Sequence, residues 1–359
     1  MYCRESDPLR CYGQVFTRWR EPTVGKKLGT VALFLGAFLL ALAALSKFYM
    51  YDQLAVVPYN TETTNTSSTA PGNDAEYLDA AAGLKITTGP LKNTKVLSGN
   101  VELSKKASKD LGKDVAVWDY INCTAPVDFN CGSGDTPLSL NVDRVPFDRN
   151  TGQTVRWDGS YSETGGEKTE PANFEGLYFK FPFDTQKKTY KFWDDTLLTS
   201  TDAKFVGEGK VEGLKVYKFE QTIAPISTGT IDVPGDLVGS DESTVTADQI
   251  YSSTSYYSVE PVTGVIIVGR TSQDSYLEVD GVRKVTTTKA DLQYSDATIK
   301  DTADEYKSKA TLLTTVKTTV PLGGALIGIL LIAAGLWTRR GGDTSGSRKA
   351  DKDELIGSH

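Results

Sequence analysis

Histidine is all but missing from this chain: the one copy, His359, is the last residue. That removes His-based acid–base catalysis, Ser-His-Asp and Cys-His nucleophilic arrangements, and HExxH zinc sites together. Cysteine occurs four times and never as CxxC, which excludes the common thiol-redox and zinc spacings. Neither GxSxG nor GxxxxGK[ST] is present, so no nucleophile elbow and no phosphate-cradling loop is encoded. Gly207-Glu-Gly-Lys-Val-Glu-Gly213 has one residue too many for GxGxxG and precedes a strand pattern rather than a helix, which makes it a turn. A calcium loop of the DxDxDG kind is missing as well.

Two long uncharged runs stand out against this background. Residues 28–45 (LGTVALFLGAFLLALAAL) would make a helix of about 27 Å, close to the ~30 Å hydrocarbon core of a bilayer. Lys26 and Lys27 precede it, and Phe48, Tyr49 and Tyr51 follow as an interfacial belt. The run is too long for a signal-peptide core and continues into Ser-Lys-Phe-Tyr, so an uncleaved span is expected. Residues 320–337 (VPLGGALIGILLIAAGLW) form a second run, closed by Arg339 and Arg340. The expected plan is a tail (1–27), a span (28–45), a large domain (46–319), a span (320–337) and a tail (338–359).

The tails carry eleven basic and seven acidic residues, which leaves 28 basic and 39 acidic residues in the segment between them. Basic tails are retained inside, so both termini are expected in the cytoplasm, with an acidic domain outside a plasma membrane. That acidity argues against nucleic-acid partners. Cys3 and Cys11 fall in the reducing compartment. Cys123 and Cys131, in the exported segment, are expected to form a disulfide around a nine-residue loop, worth ~2.6 kcal/mol in the chain-entropy model. In the spans, Gly324 and Gly328 form a GxxxG, and Gly36 lies among small residues seven apart in the first run. Small residues let helix backbones approach, so these glycines are candidates for pairing the spans.

From Tyr77 onward the signal is β, giving a β-rich α+β ectodomain of mainly antiparallel sheet. Residues 115–121 are rich in β-branched and aromatic residues, and residues 138–145 alternate Leu138, Leu140 and Val142 with polar positions. Residues 177–183, 189–193, 203–206, 214–223 and 250–259 follow the same style, and Asp280-Gly281 marks a hairpin. Residues 60–73 are Thr/Ser-rich and read as a polar loop. Residues 226–247, rich in Gly and Pro, read as a long loop: a lid, a binding loop or disorder. Ile299, Ala303, Tyr306, Ala310 and Leu313 share one face of a juxtamembrane helix over 297–319.

Two stretches carry a family resemblance. The exit of the first run, Lys47-Phe-Tyr-Met-Tyr-Asp-Gln-Leu54, resembles that of the PorA-like family of actinobacterial two-span envelope proteins. Within residues 175–195, Leu177, Tyr178, Lys180-Phe-Pro-Phe-Asp184, Lys187-Lys-Thr-Tyr190 and Phe192-Trp-Asp194 match that family's pattern. Phe179, and Asp52 where proline is usual, depart from it. The resemblance implies two spans around one ectodomain. The architecture is also similar to that of class B scavenger receptors, at the level of fold alone.

Asp184, Asp194 and Asp195 could pair as in glycoside hydrolysis, but a segment with 39 acidic residues supplies such neighbours by chance. The expectation is a protein that is not an enzyme and needs no cofactor or metal. Its ectodomain would bind or transfer an apolar envelope component such as a lipid or glycolipid. Tyr178, Phe181, Phe183, Tyr190, Phe192 and Trp193 would line the cavity, with membrane lipids as the partners. The alternatives are an oligomeric channel or porin component, since two spans cannot enclose a pore alone, and a scaffold for other envelope proteins.

Overall fold

The computed structural model describes residues 24–80, 82–131 and 136–340. Most of both tails, with Cys3 and Cys11, lies outside these residues. The helices are α1 (Val24–Leu45), α2 (Tyr51–Leu54), α3 (Val101–Leu111), α4 (Asp296–Thr314) and α5 (Val320–Arg340). The strands are β1 (Glu62–Thr69), β2 (Ala75–Asp79), β3 (Lys85–Gly89), β4 (Leu91–Gly99), β5 (Val115–Pro126), β6 (Ser139–Asp148) and β7 (Tyr161–Thr164). They continue with β8 (Glu167–Thr169), β9 (Tyr190–Asp194), β10 (Thr199–Val211), β11 (Leu214–Pro234), β12 (Thr244–Val259), β13 (Ile266–Val279) and β14 (Val282–Tyr294). The chain divides into a helical unit holding α1 and α5, and an ectodomain unit of residues 48–317.

In the helical unit α1 and α5 run antiparallel and meet through small residues. Gly29 faces Gly335, Gly36 faces Gly328, and Ala43 faces Gly324. A Cβ at Gly36 would stand 2.6 Å from the Gly328 carbonyl oxygen, and one at Gly335 would stand 2.7 Å from that of Gly29. The backbones are therefore too close for any side chain at these positions. The outward faces carry exposed Phe34, Phe38, Leu322, Leu326, Leu330 and Trp337. By length and composition both helices can cross a membrane, the pattern of a membrane protein.

The ectodomain is one antiparallel sheet in the order β8-β7-β6-β5-β4-β1-β14-β13-β12-β11-β10-β9, with β2 and β3 as a side ribbon on β14. The sheet curls until its ends meet. Asp148 N–H donates to Gln153 O (2.8 Å), Val155 N–H to Pro146 O (3.0 Å) and Thr154 N–H to Gly176 O (2.9 Å). Leu177 N–H then donates to Lys191 O (2.9 Å), and Trp193 N–H to Leu177 O (2.8 Å). A continuous path of main-chain bonds thus runs from β6 around the sheet to β9 and back to β6.

Local signals explain the elements. Asn100 caps α3 by accepting from Leu103 N–H (3.0 Å), and Gly112, left-handed at φ 62°, ends it. Ser295 caps α4 by accepting from Thr298 N–H (3.1 Å). This helix lays Ile299 and Ala303 against Leu214, Val216 and Ile267. The β13–β14 turn has positive φ at both Asp280 (51°) and Gly281 (73°), as a type I′ turn requires. Cys123 and Cys131 are joined by a disulfide.

Four sequence readings are corrected. Residues 60–73 do not form a loop: β1 occupies 62–69, paired with β4 and β14, and its Ser67 and Thr69 face a polar interior. Residues 226–247 are mostly the far ends of β11 and β12, paired from Ile226↔Tyr251 to Pro234↔Thr244. Beyond Gln221 this part of β11 has no strand on its other side among the described residues, and its register is broken at Ile223/Ile226 and Ser227/Gly229. Residues 177–183 are an irregular segment tied to the sheet at Leu177. In β6 the alternation is inverted: Asn141 and Asp143 are buried, while Leu140 is 39% exposed.

The helix contact is open to a direct check. Ala43→Cys with Gly324→Cys, in a background lacking Cys3 and Cys11, should give an intramolecular crosslink under mild oxidation. Adding Gly36→Leu and Gly328→Leu should lower its yield several-fold, because leucine cannot fit between the two backbones.

Candidate functional site

The residues singled out from the sequence converge on the place where the sheet closes. Leu177 bridges β9 to residue 153, and the chain on either side of it passes among the inward faces of the strands. Two aromatic clusters form there. In one, Tyr178 and Trp193 pack with Trp118, Tyr120, Phe147 and Phe174, and Phe179 and Phe183 lie against its edge. In the other, Phe181, Tyr190 and Phe192 pack with Phe219. Phe181 stacks on Phe219 at 4.4 Å and on Phe192 at 5.4 Å, and Phe174 meets Trp193 edge-on at 5.2 Å. All six predicted aromatic residues therefore have other protein side chains packed against them.

Beside the aromatic clusters the interior is polar. Asn93 donates to Asn122 (2.6 Å) and to Thr124 (2.9 Å), and Asn122 donates to Asp195 (3.0 Å). Gln221 donates to Thr201 (2.7 Å) and accepts from the Tyr257 hydroxyl (2.7 Å). The Tyr251 hydroxyl donates to Asp194 (3.0 Å). Tyr178 donates to Asp143, whose other oxygen, Oδ1, has no donor. Burial pushes Asp194 upward from the ordinary carboxylate range.

Lys180 stands apart from these networks. It is 8% exposed, and its Nζ makes no hydrogen bond and lies 3.8 Å from the Phe183 ring. The Glu260 carboxylate is already engaged by Val262 N–H (3.0 Å) and Thr263 N–H (2.8 Å). Burial pulls the Lys180 amine down to about 7, with Glu260 opposing it weakly. Neither Lys180 nor Asp143 was marked out from the sequence. Lysine within an unbroken aromatic run was the available signal for the first, and the second sat at a position taken to face outward.

A cavity of about 710 Å³ opens elsewhere in the ectodomain, between Tyr51, Asp114, Arg149, Phe183, Asp184 and Lys317. Arg149 grips both Asp114 oxygens at 2.9 Å and lies 3.7 Å over the Tyr59 ring, and Lys317 pairs with Asp184 at 2.7 Å. Both cations are thus engaged by carboxylates. Among the described residues no group of His, Cys, Asp and Glu is arranged to hold a metal ion.

The Lys180 environment has a measurable consequence. Its folded pKa of about 7 lies below the ordinary 10.5, so between those values the unfolded chain binds more protons. Stability should therefore rise with pH across that window and be lost as pH falls toward 7. Lys180→Met should abolish this slope and stabilise the protein at neutral pH by roughly 1–4 kcal/mol, as seen when buried charges give way to apolar side chains. Thermal melts of both proteins at about pH 7 and about pH 9 check it.

A family model described as Porin PorA matches residues 28–337. The chain is 26% identical over 255 residues to Porin PorA of Corynebacterium resistens, covering 61% of this chain and 59% of that protein. It is 25% identical over 306 residues to Porin PorA of Corynebacterium amycolatum, covering 68% of this chain and 76% of that protein. These matches overturn the expectation of a lipid- or glycolipid-carrying ectodomain. Of the six aromatic residues assigned to its cavity, Tyr178, Phe181, Tyr190, Phe192 and Trp193 are buried in the two aromatic clusters, and Phe183 lies at the edge of one of them and lines the cavity of about 710 Å³. With a match that takes in the two apolar helices and the whole ectodomain between them, the chain belongs to the PorA family.

Proposed function

We propose that this chain is a subunit of an oligomeric channel in the cell envelope. The observation that carries the reading is the porin family match across residues 28–337. Two apolar helices per chain cannot surround an aqueous path, so several chains must contribute. The pairing of α1 with α5 through glycine leaves their outer faces apolar, as surfaces in contact with lipid or with further helices must be. The interior of the closed sheet is filled with aromatic rings, which favours a path between subunits over one through a single ectodomain.

In this reading the protein is not an enzyme and takes no cofactor. Its partners are copies of itself and membrane lipids. For a plasma-membrane location, Lys26, Lys27, Arg339 and Arg340 beside the spans support both tails in the cytoplasm and the acidic ectodomain outside. The porin names of the two relatives favour an outer envelope membrane over the plasma membrane expected from the sequence.

Purified full-length protein added to a planar bilayer should give discrete conductance steps, and crosslinking in detergent should trap oligomers. A silent bilayer with demonstrably inserted protein would sink the channel reading. For the topology, a membrane-impermeant thiol reagent should leave Cys3 and Cys11 unlabelled in intact cells and label them after lysis.

A further inference from the structure

We propose that the closure of the sheet at Leu177 is a proton-dependent latch, in which Asp143 and Asp195 share the Tyr178 hydroxyl, hold the seam shut while one of them is protonated, and loosen it when both ionise. The proposal concerns the ectodomain alone and does not depend on the channel reading.

The geometry brings three parts of the seam to one hydroxyl. Tyr178 directly follows Leu177, whose main chain supplies the bonds to β9. Its hydroxyl donates to Asp143 Oδ2 on β6, one side of the seam. Asp195, immediately after β9, faces the same hydroxyl from the other side. Asp195 is fixed in place by Asn122 Nδ2 (3.0 Å), and its carbonyl accepts from Asn141 Nδ2 (3.3 Å). The hydroxyl between the two buried carboxylates has one proton to donate, and the polar groups on their outer sides are amides and a hydroxyl, not cations. A second charge there is opposed by its neighbour and by burial.

The surrounding groups do not relieve that repulsion. Tyr120 faces Asp143 from β5, and Ser162 and the Glu163 backbone face it from β7. Lys95 on β4 is the cation acting on Asp195, and it only partly offsets the effect of burial. Asp194, next in sequence, adds negative charge and is held by Tyr251 and by the amides of Thr196 (3.0 Å) and Leu197 (2.9 Å). Tyr257 and Tyr294, facing from β12 and β14, are kept un-ionised by burial. Burial, with the Asp195 charge adding to it, pushes Asp143 upward, and Ser162, Tyr178 and the Glu163 backbone do not cancel the shift. Burial likewise raises Asp195 against Lys95.

The sign of the pH dependence follows from those directions. A carboxyl raised in the closed state binds its proton more tightly there than in an opened one. The latch is therefore strongest below the ordinary carboxylate range and weakens as pH rises through the raised values. Elsewhere the sheet is held by continuous ladders, as between β4 and β5. At the seam the gap is spanned by the main-chain bonds of Thr154, Leu177 and Trp193 and by side-chain bonds of Tyr178, Asn122 and Asn141, not by a ladder, so loosening is concentrated there.

Hydrogen exchange on the full-length Lys180→Met protein in detergent, a background without the opposite pH dependence of Lys180, tests this, at about pH 5 and about pH 8, with rates corrected for intrinsic exchange. Protection in peptides containing Leu177 and Trp193 should fall about tenfold or more at the higher pH, while peptides from residues 214–223 of β11 keep theirs. Asp143→Asn should hold the seam equally protected at both values, and Asp195→Asn should do the same from the other side, so that either variant suffices if one fails to fold. In that background, a seam with no fall, a fall shared equally by β11, or a fall that persists in a folded Asp143→Asn or Asp195→Asn variant would overturn the proposal.

Discussion

The amide and the carbonyl of Leu177 both bond to β9, and the ectodomain is organised around that fact. With them the curled sheet acquires an inside. The turn that delivers Leu177 needs Gly176: its φ is 70°, and a Cβ there would stand 2.7 Å from the Lys191 carbonyl oxygen. Once the ring is closed, its interior has to be filled, and large rings fill much of it. Phe181 lies between Phe192 and Phe219, while Trp118, Tyr178 and Trp193 occupy the adjoining space. The remaining volume is polar, and there the side chains bond to one another, as the Asn93–Asn122–Asp195 chain does. Buried polar groups without partners cost more than such a network, so the interior is polar and ordered together.

The parts of the fold that obey a simple period were legible in the sequence. The two apolar runs, the Asp280-Gly281 turn and the strand-rich stretches at 115–121 and 250–259 all appear where the residues suggested. The parts that failed share one cause, a sheet whose inner face is partly polar. Strand β1 is made of Thr, Ser, Asn and Glu, and it resembled a linker because its inward Ser67 and Thr69 are hydroxylated. In β6 the polar positions were taken as outward, yet Asn141 and Asp143 point in. Composition ranks residues by how they behave in an oily core, and this core is not one.

The aromatic stretch at 175–195 was recognisable as a group, but not in what it does. A run of Phe, Tyr and Trp is equally suited to lining an empty cavity and to filling one, because both place rings away from water. Only coordinates separate the two, and here the rings are filled against each other. The closure itself left no mark in the sequence. It rests on isolated main-chain bonds between segments far apart in the chain, for which no periodicity exists. Family membership, in contrast, was carried by the same residues, since the motif from Leu177 to Asp194 is also the stretch that shuts the ring.

Among the described residues the far half of β11 has a neighbour on one side only, and an unpaired strand edge is a template on which another chain can add as amyloid or fuse into a wrong dimer. Here that edge is spoiled. Pro225 lacks an amide hydrogen, Gly229 takes a φ of 143°, and the register breaks twice within a few residues. An incoming strand would find its bonding partners out of step. The ribbon can therefore stand exposed without serving as a template for strand-by-strand polymerisation.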